Sequence, residues 1–336
     1  MCTIGLFYHD RAEYVKERQL LLRLADDGNI NAQYNLGVLY HEGLGGPVDN
    51  KKAAYWVRSA HEQGSIVATR ALASLYEHGQ GVQPSCVEAV RLYKKAIEAN
   101  DLPSMMFMAK MYIDGRCLNK DIHKGISLLK KASELGHARA FYELGYLFEH
   151  GLSGSVDYEK AIHWYKAAYD HGVVDAAGIL GYFYQTGIGV AVDCEQAVKF
   201  YKTAVGSNDV QAMFNLANMY FKGECIPKDD NMGVSLLKKS SAMGSKDAKL
   251  LLGFCYEHGI GVDINIEEAK RLYLKLAKDG FSRGQVNLAA LLFGLGGYEN
   301  NVEGLKWVNK AAAQADPKAL RLLRDFKINN PSFNIN

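Results

Sequence analysis

The sequence predicts an all-α array of helical hairpins, on three observations. A residue suited to a left-handed turn returns every 36 positions, at Gly28, Gly64, Asn100, Gly136, Gly172, Asn208, Gly244 and Gly280. Between returns, apolar residues fall into two stripes of helical spacing. A second ladder of small residues keeps the same step: Gly37, Ala73, Ala109, Gly145, Gly181, Ala217, Gly253 and Ala289. A constant period without long insertions marks stacked supersecondary units, each too small to bury its own apolar face. The expected architecture is an α-solenoid of about eight 36-residue helix-turn-helix repeats between terminal capping helices. Such an array recognises other molecules through its accumulated surface, whereas an enzyme needs one non-repeating constellation.

The elements follow in order. Within segment 1–28, residues 12 to 27 read as one amphipathic helix that shields the first repeat. Eight repeats then span 29–64, 65–100, 101–136, 137–172, 173–208, 209–244, 245–280 and 281–315. In the first, Ala32, Leu36, Gly37 and Tyr40 form one stripe of a helix of about 12 residues, which Gly43 stops. The loop Gly43 to Asp49 holds three glycines and a proline. Ala53, Trp56, Val57 and Ala60 then form the stripe of a second helix ending before Gly64. The ladder of Gly37 and its equivalents marks where the two backbones approach. Tyr40, Tyr76, Tyr112, Phe148, Tyr184, Tyr220 and Tyr256 recur opposite Trp56, Leu92, Leu128, Trp164, Phe200, Leu236, Leu272 and Trp307, and read as core. Segment 316–336 closes the array with a helix from Pro317 to Phe326 and a tail, Ile328 to Asn336, that has no helical period. The period crosses every place where a linker would lie, so one continuous domain is expected.

A longer repeat lies over the short one. Gly43 to Asp49 reappears at Gly151 to Asp157, and Ser127 to Lys131 at Ser235 to Lys239, as if three hairpins had been duplicated as a block. The 36-residue frame puts Cys86 and Cys194 at one repeat position and Cys117 and Cys225 at another, each pair three units apart and beyond disulfide reach. Cys86/Cys117 and Cys194/Cys225 share a 31-residue spacing in neighbouring loops, which leaves a cross-repeat bridge open. Reduced thiols are the default expectation.

Lys and Arg number 39 against 37 Asp and Glu, and the charges are scattered. That balance argues against nucleic acid as partner. No stretch reaches the 18 apolar residues of a membrane span. Charges begin at Asp10 and Arg11, and the run Ile4 to Tyr8 is too short for a signal-peptide core. A cytoplasmic protein is expected, or a periplasmic one if a leader has been cleaved.

The stretches Ala32 to Gly37 with Tyr40 and Gly43, Gly79 to Val82 with Ala89 and Tyr93, and Ala161 to Ala168 resemble the Sel-like repeat, a relative of the tetratricopeptide repeat. The resemblance covers nearly the whole chain, from about 29 to 315. It implies a right-handed superhelix with first helices on the concave side, and a bacterial adaptor, scaffold or regulatory protein. Other members resemble immunity proteins that neutralise toxins delivered between bacteria, which is the alternative reading here. A third is a hydrolase like the cysteine-rich branch, reported to bind or hydrolyse penicillins, which ties the two helices of each hairpin by disulfides. This chain lacks that pairing.

The expected function is therefore non-catalytic, with a protein or peptide bound in the groove that the first helices line. Positions equivalent to 31, 34, 38 and 41 are rich in aromatics, which bury large areas with little rotamer entropy. The candidate binding residues are Arg139, Tyr142, Tyr146, Glu149, Asp175, Tyr182, Gln185, Phe214, Asn218, Phe221, Phe254 and Glu257. Tyr146, Tyr182, Asn218 and Phe254 hold the outward-facing position, and the charged and amide residues flank them as orienting contacts. The motifs Glu77-His78-Gly79, Glu149-His150-Gly151 and Glu257-His258-Gly259 invite a metal reading. They fit better as helix ends, where histidine meets the favourable end of the dipole and glycine takes the left-handed cap. Lys94-Lys95, Lys130-Lys131 and Lys238-Lys239 suit the same dipole. The Gly-rich loops lack the Lys-Ser/Thr of a phosphate loop. No metal, cofactor or catalytic group is expected.

Overall fold

A computed structural model describes residues 11–331 and residue 333. Cys2, the Ile4 to Tyr8 run and residues 332 and 334–336 of the tail lie outside the described residues. The chain forms two compact units, the first ending at His171 and the second beginning at Gly172, where the unbroken period suggested one domain.

The first unit holds α1 (Arg11–Asp26), α2 (Ile30–Glu42), α3 (Asn50–Glu62), α4 (Ile66–His78), α5 (Cys86–Glu98), α6 (Leu102–Asp114), α7 (Ile122–Glu134), α8 (Ala138–Glu149) and α9 (Tyr158–Asp170). The second holds α10 (Asp175–Thr186), α11 (Cys194–Gly206), α12 (Val210–Lys222), α13 (Asp230–Ala242), α14 (Lys246–His258), α15 (Ile266–Lys278), α16 (Ser282–Leu295), α17 (Tyr298–Ala312) and α18 (Pro317–Asn329). No strand occurs among the described residues. This is the all-α repeat solenoid that the sequence predicts.

Short polar side chains start the helices. Asp49, Ser85, Asp121, Asp157, Asp193, Asp229 and Asn265 each accept a backbone N–H at the start of a second helix, satisfying donors that no helical carbonyl reaches. First helices end on left-handed glycines at Gly43, Gly79, Gly115, Gly187, Gly223 and Gly259. The opening ladder has the same cause at the other end of the hairpin. Asn100 (φ 58°) and Asn208 (φ 64°) stand in for glycine there, as the residue that best tolerates the left-handed region after glycine.

The hairpins close on the small-residue ladder. A Cβ on Gly145 would lie 2.8 Å from the ring of Tyr165, and one on Gly181 2.7 Å from that of Tyr201. These rings, with Tyr93 and Tyr273, are fully buried between the two helices of their repeats. Their hydroxyls donate to residues 16 positions earlier: Tyr93 to Glu77 at 3.2 Å, Tyr165 to Glu149 at 2.6 Å, Tyr201 to Gln185 at 2.8 Å and Tyr273 to Glu257 at 2.9 Å. Burial, followed by the Glu149 carboxylate, pushes the Tyr165 hydroxyl pKa far above its ordinary value. It is a neutral donor at any physiological pH.

Each terminal helix completes half a repeat. Tyr14 of α1 precedes Asn50 of α3 by one period, and a Cβ on Gly45 would meet the Tyr14 carbonyl just as one on Gly81 would meet that of Asn50. α1 thus occupies the place of a second helix ahead of repeat one. Arg18 lies 3.7 Å over the Tyr40 ring, and Ala25 packs with Ala32 and Leu36. At the other end α18 packs as a first helix, with Phe326 stacked 4.3 Å from Phe293. It runs to Asn329, beyond the expected Phe326, and the Asn330 amide donates to the Phe326 carbonyl at 3.0 Å.

The cysteines correct the expectation of reduced thiols. Cys86 and Cys117 form a disulfide with Cα atoms 4.9 Å apart, and Cys194 and Cys225 form another at 4.8 Å. Cys117 and Cys225 occupy the loop position held elsewhere by Gly45, Gly81, Gly189 and Gly261, and they keep its positive φ at 57° and 65°. That position abuts the first residue of the preceding second helix, which is Asn50 or Asp230 in other repeats and a cysteine here. Each bridge therefore joins neighbouring repeats. Cys255 is a free, buried thiol, and burial pushes its pKa up to about 11.

Candidate functional site

In the first unit, first helices α6 and α8 present their outward faces to one cleft of about 630 Å³. Leu129 and Leu147 close its floor and Leu152 its lip. Phe107 of α6 and Tyr146 of α8 both line it and are its exposed aromatics, with 44% and 41% of their surface accessible. Phe107 is held by stacking on buried Tyr93 at 5.6 Å. Tyr146 stacks on His150 at 4.0 Å, and the His150 ring in turn contacts the Tyr146 carbonyl through Nδ1 at 3.0 Å. Neither aromatic therefore pays the full entropy of being ordered when a partner arrives.

The charged lining is organised around Arg139. Its Nε donates to Glu143 at 3.2 Å, and its guanidinium lies 4.2 Å over the half-buried Tyr142 ring. Tyr142 meets Tyr165 edge-on at 5.3 Å. Asp114 turns to Arg116 at 3.5 Å, and Arg116 also pairs with buried Glu77 at 3.0 Å. Lys110, exposed in mid-α6, makes no ion pair among the described residues.

Of the sequence candidates, the structure brings Arg139, Tyr142 and Tyr146 into this cleft. Glu149 instead faces inward to Tyr165, and in the second unit Gln185 and Glu257 do the same for Tyr201 and Tyr273. Tyr182 and Phe254 are exposed at 46% and 40%, and Asp175 is exposed. Phe214 and Phe221 are half-buried, and Phe221 covers Gly233, where a Cβ would lie 2.7 Å from its ring. Asn218 donates to the Phe214 carbonyl at 3.1 Å. Sequence reasoning missed Phe107. It holds the position next to the 34-type site, and a helix face includes both i+3 and i+4.

The Glu-His-Gly motifs resolve as helix ends. His78, His150 and His258 place Nδ1 2.9–3.1 Å from the carbonyl four residues back. Among the described residues no group of three or more His, Cys, Asp or Glu side chains is placed to hold a metal ion, and no helix is long and apolar enough to cross a membrane.

Eight consecutive segments match the Sel1 repeat, at residues 30–65, 66–101, 102–137, 138–173, 174–209, 210–245, 246–281 and 282–316. The chain belongs to the Sel1 repeat family. Sel1 repeats are typically protein-interaction scaffolds. Among solved structures, c5321, a protective antigen of uropathogenic Escherichia coli with an SLR fold, is similar at 28% identity and a TM-score of 0.79. The match covers 93% of this chain and 67% of that one. A Sel1 repeat protein from Oxalobacter formigenes superposes with a TM-score of 0.68 at 23% identity, over 92% of this chain and 89% of that one. Immunity protein Pa5087 from Pseudomonas aeruginosa reaches a TM-score of only 0.41 at 21% identity, over 56% of this chain and 72% of that one, too slight a likeness to bear on function. No curated protein matches the sequence. In this Sel1 repeat chain the disulfides run between hairpins, unlike the within-hairpin pairing that resemblance attributes to the penicillin-binding branch.

Proposed function

We propose that this Sel1 repeat protein is a non-catalytic scaffold that holds a segment of another protein in the cleft between α6 and α8. The observation that carries the reading is the pair Phe107 and Tyr146, two pre-ordered aromatics from different helices that are exposed in one cleft also lined by buried Leu129 and Leu147. Anchors of this kind dominate binding energy when they are desolvated at the centre of an interface. Tyr182 and Phe254 supply further exposed aromatics on the second unit. The test is quantitative affinity capture with the wild-type chain and a Phe107→Ser/Tyr146→Ser variant. Partners retained by the wild type should be lost by the variant, and a partner held equally by both would remove the cleft from the reading. A chromogenic lactam should show no turnover.

The two bridges support residence in an oxidising compartment, since disulfides persist where thiols are not kept reduced. Of the two compartments the sequence leaves open, the bridges favour the periplasmic one over the cytoplasmic. Thiol alkylation of protein taken directly from cells, read by mass, should leave Cys86, Cys117, Cys194 and Cys225 unmodified until reductant is added.

A further inference from the structure

We propose that the α6/α8 cleft selects acidic peptide segments, with Lys110 receiving a carboxylate beside a large apolar side chain held by Phe107 and Tyr146. The inference rests on the peptide-binding reading above and assigns it a partner chemistry. It follows from how the charges of the cleft are already paired. Glu143 is engaged by Arg139, and Asp114 shares Arg116 with Glu77, so both acids of the lining already face a cation other than Lys110. Asp114 lies one helical turn beyond Lys110, at a spacing that suits an ion pair, yet it turns away to Arg116.

What the cleft offers is therefore one cation that makes no ion pair among the described residues, beside two exposed rings and the apolar Leu129 and Leu147. A bound segment that covered Lys110 with an apolar or basic residue would strand its ammonium away from water, at the cost of an unpaired buried charge. One that brought a carboxylate would form a charge-assisted hydrogen bond in a partly desolvated setting, where such bonds are strongest. The two rings take a neighbouring aliphatic or aromatic side chain. The pairing also sets the direction of discrimination. Basic segments are repelled by Lys110, while Glu143 and Asp114 are held by Arg139 and Arg116 and attract them less than free carboxylates would.

The experiment is selection of a displayed random linear peptide library on the full-length, disulfide-intact protein, run in parallel on Lys110→Glu. Wild type should enrich Asp or Glu next to a large apolar residue, and Lys110→Glu should enrich Lys or Arg at the same place. A consensus peptide resynthesised with Asn or Gln for its acids should bind the wild type about tenfold more weakly, the scale of one hydrogen bond to a charged group. That gap should vanish in Lys110→Gln, an exposed change that leaves the melting temperature unaltered. Peptides whose binding needs Tyr146 and Phe107 but shows no acidic preference would overturn the charge inference and leave the peptide-binding reading standing. Failure to enrich any peptide sensitive to Tyr146→Ser and Phe107→Ser would overturn both.

Discussion

Glycine serves this chain in two distinct ways that recur with the period. Gly28, Gly64 and their equivalents have nothing near a would-be Cβ, so backbone conformation alone selects them, and Asn100 and Asn208 show what else is admitted. Gly145, Gly181 and Gly253 sit in helices under a buried tyrosine ring, where space selects them. Both ladders were legible because each cause recurs every period. The ring and its acceptor were not, since Tyr165 and Glu149 lie in different helices and Glu149 also sits at a plausible groove position. Tyr165→Phe should leave the half-buried Glu149 carboxylate without its donor and cost about 1–3 kcal/mol, read as a shift in denaturant midpoint. An unchanged midpoint would mean that water replaces the hydroxyl. Cys255, with its thiol pKa near 11, should stay protonated and unreactive toward iodoacetamide at pH 8 in the native protein, and react only on unfolding.

At the scale of the element, the second helices α3, α7 and α9 are started by carboxylates whose pKa values are lowered. Asp49 and Asp121 are lowered chiefly by the backbone N–H groups of Lys52 and Lys124, and Asp157 by the Lys160 side chain. A lowered carboxylate stabilises the folded state above its unfolded pKa of 3.8, and that contribution is lost as pH falls through the lower folded value. The melting temperature should therefore fall below about pH 4. Asp49, Asp121 and Asp157 replaced together by Asn keep a cap but cannot titrate, so the triple variant should lose less between pH 5 and pH 3; parallel curves would assign the acid transition elsewhere. The bridges act between elements. Each closes a separation of 31 residues, worth about 3–4 kcal/mol in chain-entropy terms. Reduction should speed amide exchange in α5, α6, α11 and α12 more than in α3 or α15. The bridges were concealed by weighing cysteine usage against compartment. Aligning Cys117 with Gly45 and Gly81 would have shown a loop already pressed against the neighbouring helix start.

Over the whole molecule, the repeat count, the hairpin and the helical terminal segments were legible from periodicity alone. The division at His171 was not, because no change of composition accompanies it. Stability in such an array arises from interfaces between neighbours. Deleting residues 1–28 strips Ala25 from Ala32 and Leu36 and Arg18 from Tyr40, and should lower the melting temperature by several degrees and cause association in size-exclusion chromatography. A monomeric truncation with unchanged melting would contradict the capping role of α1. The bridges also govern how the chain answers to load. Stretched from its termini, the oxidised protein cannot pay out the length between each pair of linked cysteines, about 110 Å apiece at full extension. Its final contour should be shorter by twice that amount than after reduction, so tension would leave two tethered loops that can refold without searching for their ends.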